Sequence, residues 1–316
     1  MKISNTSTTT SRRLGSAPGS RKTAAVAVAF GAALSAVVTG TLLLSGCATG
    51  QAPGTEASSE VAFQHVHKLE AGQPDGSLLV AAHNGLYRVT LGSDGSATVS
   101  GPIGGVDFDL MGFTIAGGEF YASGHPGPKT AGTFGTPNLG LITSTDLGEN
   151  WANVSLTGAT DFHTLTAAAV GSRDTRVFGI DTSKQRIQRS LDGGKTWGEG
   201  AEIVARDILA VGEELYATTP DGLVVSTDNG TSFTVDSSAP ALFLVTADQT
   251  GKLAGVDVDG KVWVRDLVGA WVAGGTLTAA PEAFATDGKR IFIADEKGIS
   301  FSEDRGATWT VLTLRN

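Results

Sequence analysis

Cysteine is almost absent from this chain. Cys47 is the only one among 316 residues, so no internal disulfide can form and packing and hydrogen bonds must hold the fold. Methionine is nearly as scarce, Met111 being the only one after the initiator. No basic cluster occurs, and Asp plus Glu outnumber Lys plus Arg by 32 to 23, for a net charge of −9. That balance argues against nucleic acid as a partner. Past residue 46 no apolar run is long enough to cross a bilayer, so the body is expected to be soluble and, with nothing to suggest otherwise, monomeric.

The apolar length that does exist sits at the start. Arg12, Arg13, Arg21 and Lys22 precede an uncharged run, "TAAVAVAFGAALSAVVTGTLLL", which ends in "LSGC" at Cys47. A basic start, an apolar core and a small-residue terminus are the three parts of an export signal. "LSGC" resembles the bacterial lipobox, which implies lipidation of Cys47 and cleavage before it. Residues 1–46 therefore read as a lipoprotein signal peptide. Residues 47–60, small, polar and without an aromatic, read as a flexible tether. The protein is expected to be exported and anchored by lipid to the outer face of the cell membrane.

The remainder, 61–316, is glycine-rich and alternates short apolar runs with turn residues, the pattern of many short strands. One octet recurs. "STDLGENW" starts at Ser144, "SLDGGKTW" at Ser190, "STDNGTSF" at Ser226 and "SEDRGATW" at Ser302, with a degenerate copy, "VRDLVGAW", from Val264 to Trp271. Successive starts are 46, 36, 38 and 38 residues apart, close to the period of propeller blades. Each unit reads as four strands, A to D; in "ELYATTPDGLVVSTDNGTSFTVD" the octet is the C–D turn. Six such units fit, giving an all-β, six-bladed β-propeller with four antiparallel strands per blade. The last strands fit before Asn316, so the ring is expected to close without an exchanged strand.

The octets resemble the Asp-box, or BNR repeat, of sialidases and sortilin-type receptors. The residue types have a structural reason. Asp146, Asp192, Asp228 and Asp304 can accept turn amides, and Ser144, Ser190, Ser226 and Ser302 stand beside them. Gly148, Gly194, Gly230 and Gly306 can take a positive φ. Trp151, Trp197, Phe233 and Trp309, with Trp271 of the degenerate copy, can pack against the blade. These residues are expected to be scaffold. If the C–D turns mark a lower face, then the B–C turns and the entries into strand A share an upper face, where a ligand site belongs.

All five histidines fall on that upper face, in blades 1 to 3. Aligned on Leu69, Phe113 and Leu165, the strand A entries place His67, Met111 and His163 in one register and His65, Asp109 and Asp161 in another. Residues two apart share a side of a strand. His83 in "AAHNG" and His125 in "ASGHPG" occupy matching B–C turns. Any one histidine alone reads as a polar residue at a strand end; five together suggest a binding face. Imidazoles with carboxylates suit zinc or copper(II), and Met111 would suit copper(I). His65, His67 and His163 are the expected metal ligands. Alternatively, Asp107, Asp109 and Asp161 could supply the opposed carboxyl groups of glycoside hydrolysis, or the face could bind a small molecule, glycan or protein without chemistry.

The "HVH", "DLMGF", "ASGHP" and "DFH" stretches are similar to those of uncharacterised exported bacterial propellers labelled glycosyl hydrolase-like, which supports the site without naming its ligand. Sialidase activity itself is not expected. The resemblance would call for three arginines, an "R-I-P"-like stretch and a tyrosine–glutamate pair. Here only Arg206 lies near an inner-strand entry, and Tyr87, Tyr121 and Tyr216 fall in strands B or C. The "PGPKTAGTFGTPN" insertion in blade 2 could be a lid or a loose loop.

Overall fold

The computed structural model describes residues 63–92, 95–171, 174–181 and 184–316. The expected signal peptide, the tether and Cys47 lie outside the described residues. The strands form six antiparallel sheets in chain order. Blade 1 is β1 (Val66–Glu70), β2 (Leu78–Ala82), β3 (Gly85–Leu91) and β4 (Ser96–Ser100). Blade 2 is β5 (Asp109–Ala116), β6 (Glu119–His125), β7 (Leu141–Ser144) and β8 (Ala152–Ser155). Blade 3 is β9 (Phe162–Val170), β10 (Asp174–Asp181), β11 (Arg186–Ser190) and β12 (Gly198–Glu202). Blade 4 is β13 (Asp207–Val211), β14 (Glu214–Thr219), β15 (Gly222–Ser226) and β16 (Thr234–Val235). Blade 5 is β17 (Leu242–Ala247), β18 (Leu253–Asp257), β19 (Lys261–Arg265) and β20 (Trp271–Thr276). Blade 6 is β21 (Ala283–Thr286), β22 (Ile291–Asp295), β23 (Gly298–Ser302) and β24 (Thr310–Val311).

The first strand of every blade touches the first strands of both neighbours, β21 meeting β1, so these six strands line a central channel. Burial falls outward from there. All of β2 is buried, whereas β16 and β24 are exposed. The inner strands lose polar alternation because a neighbouring blade covers each face. A separate apolar core fills each of the six seams. Leu79 and Leu86 of blade 1 meet Phe113 and Phe120 of blade 2, and Val256 and Val262 of blade 5 meet Phe284 and Ile291 of blade 6. Each such side chain stabilises the ring by about 1.5–3 kcal/mol.

Ring closure departs from expectation. A short strand, β25 (Thr313–Arg315), pairs parallel with the outer strand β4 of blade 1, so the C-terminus does join the first sheet. Blade 1 is the blade whose octet has decayed, and the C-terminal strand fastens the seam that lacks it. The Thr313 amide also donates to the Gly95 carbonyl at 3.3 Å.

The four clear octets adopt one turn. The serine hydroxyl donates to the aspartate at 2.7–2.8 Å and accepts the glycine amide at 2.7–2.9 Å. The same aspartate oxygen accepts the amide of the seventh residue at 2.8–2.9 Å. In the degenerate copy Asp266 still accepts the Ala270 amide at 2.8 Å, although Val264 replaces the serine. Hydrogen bonds hold Asp192, Asp228 and Asp304 down to about 2. For Asp192 and Asp228 the hydroxyl of the seventh residue contributes most, then its amide, then the octet serine. For Asp304 the Thr308 amide comes first.

The octets of blades 3, 4 and 6 also fasten their blade to the one before it. Gly230 of blade 4 accepts the Ala201 amide of blade 3 at 2.8 Å, and Arg305 of blade 6 accepts the Gly275 amide of blade 5 at 2.9 Å. Trp197 of blade 3 donates its indole N–H to Ser155 of blade 2 at 2.9 Å. Gly194 shows why the fifth octet position is glycine. Its φ is +87°, and a Cβ there would lie 1.9 Å from Leu141 Cδ2 in the preceding blade.

Two outcomes are expected. Gly194→Ala should destabilise the fold by about 2–4 kcal/mol, combining overpacking with a left-handed backbone, measured as a lower urea midpoint. The octet carboxyls titrate below their ordinary value, so their contribution is present above about pH 4 and is lost as pH falls toward about 2. An Asp192→Asn, Asp228→Asn, Asp304→Asn triple variant should melt lower than the parent at pH 7. That gap should close between about pH 4 and 2; a gap constant with pH would show that carboxylate charge is not its cause.

Candidate metal centre

The site is built from strand A entries and B–C turns at two adjacent seams. Asp109 is the first residue of β5, and Asp161 immediately precedes β9. His67 lies on β1 and His163 on β9. His83 follows β2, its amide held by the Gln64 and His65 carbonyls at 3.0 and 3.1 Å, and His125 ends β6. The polar ends of these strands reach the upper face because their apolar middles are locked in the seam cores.

Two imidazole–carboxylate–imidazole sets result. At the seam of blades 1 and 2, Asp109 Oδ1 meets His67 Nε2 and Asp109 Oδ2 meets His83 Nδ1, both at 3.0 Å. At the seam of blades 2 and 3, Asp161 Oδ2 meets His125 Nε2 at 3.2 Å and His163 Nε2 at 2.6 Å. In each set the ligand-type atoms lie within 4.8 Å of one another. Both sets combine a carboxylate at a strand A entry with the B–C histidine of the preceding blade, but the second imidazole comes from the preceding blade in the first set (His67) and from the carboxylate's own blade in the second (His163).

Each set is a group of side chains that could hold a metal ion, and its donor types are those of a transition-metal site. Bonds of 2.0–2.1 Å in a tetrahedral site put ligand atoms about 3.3 Å apart; three of the four imidazole–carboxylate contacts lie within a few tenths of an ångström of that, and the remaining ligand-type atoms of each set stand within 4.8 Å of one another. The second set carries two further marks. His125 Nδ1 faces the Pro137 carbonyl at 3.2 Å, a partner that only an N–H can satisfy. In the neutral ring Nε2 is then an unprotonated lone pair pointing at a carboxylate oxygen, which is repulsive unless a proton or a cation lies between them. Asp161 Oδ1 is buried with no hydrogen-bond partner among the described residues. The His163 ring is held above its ordinary pKa, chiefly by its hydrogen bond to Asp161; burial opposes this, and the charges of Asp161 and Asp109 add to it.

The expected ligand set of His65, His67 and His163 is regrouped by the fold. His65 joins neither set: its side chain is 62% exposed, with Nδ1 3.5 Å from Glu282 Oε1. Its backbone has φ +48°, a bend that turns the chain into β1. Asp107 is also elsewhere. Its carboxylate accepts the Lys129 amide at 3.0 Å and the Thr130 hydroxyl at 2.9 Å. Burial opposes ionisation, but these two bonds hold the carboxyl below its ordinary range.

Those bonds also define the blade 2 insertion, which is neither a lid nor a loose loop. It carries a short helix, α1 (Ala131–Phe134), and buries Phe134 edge-on to Phe108 at 4.9 Å. Its Pro137 carbonyl is the group that orients His125. The insertion is a strut that orients His125, which composition alone could not show.

Beyond the two sets, one side chain per blade rings the channel mouth. Counting back two residues from the buried strand A residues Leu69, Phe113, Leu165, Ile208, Val245 and Phe284 gives His67, Met111, His163, Arg206, Phe243 and Glu282. All six line one cavity of about 600 Å³. Met111 stands between the two histidines. Glu282 and Phe243 are the members that sequence reasoning missed, because the register had been aligned only across blades 1 to 3.

No family model matches the chain, and no curated protein does. Among solved structures it is similar to a chain in the crystal structure of a nidogen/laminin complex, with 14% identity, 74% of this chain and 91% of that one covered, and a TM-score of 0.54. It is also similar to PorZ, described as an essential bacterial surface component of the type-IX secretion system of Porphyromonas gingivalis, at 12% identity and a TM-score of 0.50. That match covers 81% of this chain and 39% of PorZ. An ancestral GH74 enzyme aligns at 12% identity over 77% of this chain and 37% of its own, with a TM-score of 0.44, too low to bear on chemistry. The likeness is to β-propellers and is one of fold.

If Asp161 is what raises His163, then Asp161→Asn should return the His163 midpoint toward that of ordinary imidazole. NMR titration of the ring carbon protons would show it, and an unchanged midpoint would remove Asp161 as the cause.

Proposed function

We propose that the protein is an extracytoplasmic binding propeller, tethered to the membrane through lipid on Cys47, whose upper face takes a transition metal through its two His–Asp–His sets. The observation that carries this reading is the pairing of each carboxylate with two imidazoles at both seams, with His125 Nε2 and Asp161 Oδ2 opposed at 3.2 Å. Neutral imidazole and carboxylate suit zinc or copper(II). Met111 at the channel mouth would add a softer donor for copper(I). The octet turns, read as Asp-box repeats, supply the rigid scaffold, and the "LSGC" terminus of the leader supplies the anchor.

The hydrolase alternative asks for two free carboxyl groups across a sugar. Asp107 is spent on the insertion, and Asp109 and Asp161 each hold two imidazoles. No observation favours that reading over metal binding.

Elemental analysis and calorimetric titration of the purified protein with zinc and with copper(II) test the proposal. Up to two ions per chain are expected. His125→Ala with His163→Ala should remove one, and His67→Ala with His83→Ala the other, each variant keeping the parent's circular dichroism. Affinity for added metal that survives both double substitutions would sink the metal reading. A Cys47→Ser variant should leave the membrane fraction; persistence there would reject the lipid anchor.

A further inference from the structure

The channel mouth is chemically lopsided. Blades 1 to 3 present His67, Met111 and His163, whereas blades 4 to 6 present Arg206, Phe243 and Glu282. Arg206 is the informative one. Its guanidinium carbon sits 4.9 Å from the centre of the Phe243 ring, so the fork is stacked on an aromatic face. Among the described residues that guanidinium has neither an ion-pair nor a hydrogen-bond partner, unlike Arg88, Arg186 and Arg290, which are paired with Asp75, Glu202 and Asp287. Its backbone is fixed by donation to the Thr218 carbonyl at 2.9 Å, so the side chain projects from a rigid strand entry.

Arg206 also borders a narrower void of about 60 Å³ at the neck of the channel, together with His67, Met111, His163 and Glu282. Five groups from five blades bordering so small a space converge on something the size of a few heavy atoms. Asp207 borders it too, and both carboxylates there are engaged with backbone amides. Asp207 Oδ2 accepts the Val245 amide, and Glu282 Oε2 the Val66 amide, each at 3.1 Å. The remaining Glu282 oxygen faces His65. Among the described residues bordering the void, the cationic donors without a hydrogen-bond or ion-pair partner are the Arg206 fork, which is stacked on Phe243, and the Lys68 ammonium.

We infer that the channel mouth is an oxyanion site, taking a carboxylate or phosphate group between the Arg206 fork and the His163 side of the ring. The inference deepens the metal reading, on which it rests for the second attachment point: a metal held by His125, Asp161 and His163 would supply a Lewis-acid site for one oxygen, while Arg206 would hold another. A planar guanidinium matches two oxygens of either group at once, which an ammonium does not. The chain carries a net charge of −9, so it gives an anion no long-range attraction. The affinity has to come from this local set.

Calorimetry with inorganic phosphate and, separately, with acetate tests the site, on the zinc-loaded protein and on the metal-free protein. The two ligands distinguish a phosphate source from a carboxylate source. At least one should bind the loaded protein. Arg206→Gln should weaken it ten-fold or more with zinc content unchanged, and Arg206→Lys should fall between. Arg206 is exposed at a strand entry, so both variants are expected to keep the parent's melting temperature. Equal binding by Arg206→Gln and the parent would overturn the inference, as would a fully loaded parent that binds neither anion. If the parent takes no metal, the metal reading fails by itself. Arg206-dependent anion binding to the metal-free protein would then still support the site, and its absence would end it.

Discussion

The interaction on which the rest depends is the hold that the C–D octet turns take on the preceding blade. A single sheet of four short strands cannot bury both faces, so a blade is stable only between neighbours. The octet turn supplies that attachment where the sheets diverge outward and seam cores thin. Its serine and aspartate close the turn internally, and its carbonyls and indole then reach across the seam to Ala201, Gly275 and Ser155. Gly275 shows how tight the approach is: a Cβ there would lie 1.7 Å from the Gly306 carbonyl oxygen.

Fixing the lower face this way leaves the upper face free to differ from blade to blade. The strand A entries begin above the seam cores, where no turn motif constrains them. Blades 1 to 3 place two imidazoles and a thioether there, and the other three an arginine, a phenylalanine and a glutamate. Because the carboxylate of one blade meets the B–C histidine of the blade before it, each triad is a property of a seam. Its geometry is therefore as rigid as the inter-blade packing. The blade 2 insertion extends the same logic, as Asp107 anchors a segment whose Pro137 carbonyl sets the orientation of His125.

Much of this was legible before folding. The octet period counted the blades, and the C–D placement of the octets separated the two faces. Matching positions of His83 with His125, and of Asp109 with Asp161, put these four residues on one face, but not their division into two seam sets. The failures have identifiable causes. His65 aligns with Asp109 and Asp161, yet a positive φ of 48° turns it out to solvent. Asp107 is two residues from Asp109 but is claimed by the Lys129 amide, 22 positions away. β25 is three residues long, too short to carry a period of its own.

The sequence by itself determined the repeat, the strand order within a blade and the end of the sheet on which each polar residue emerges. Local spacing and turn chemistry suffice for those. Only the tertiary structure decided which blade's carboxylate meets which blade's imidazole, that Arg206 and His163 border one narrow void, and that the C-terminus fastens the first sheet. Those are contacts between residues distant in the chain. They are set by how six seams close into one ring, which no window of sequence contains.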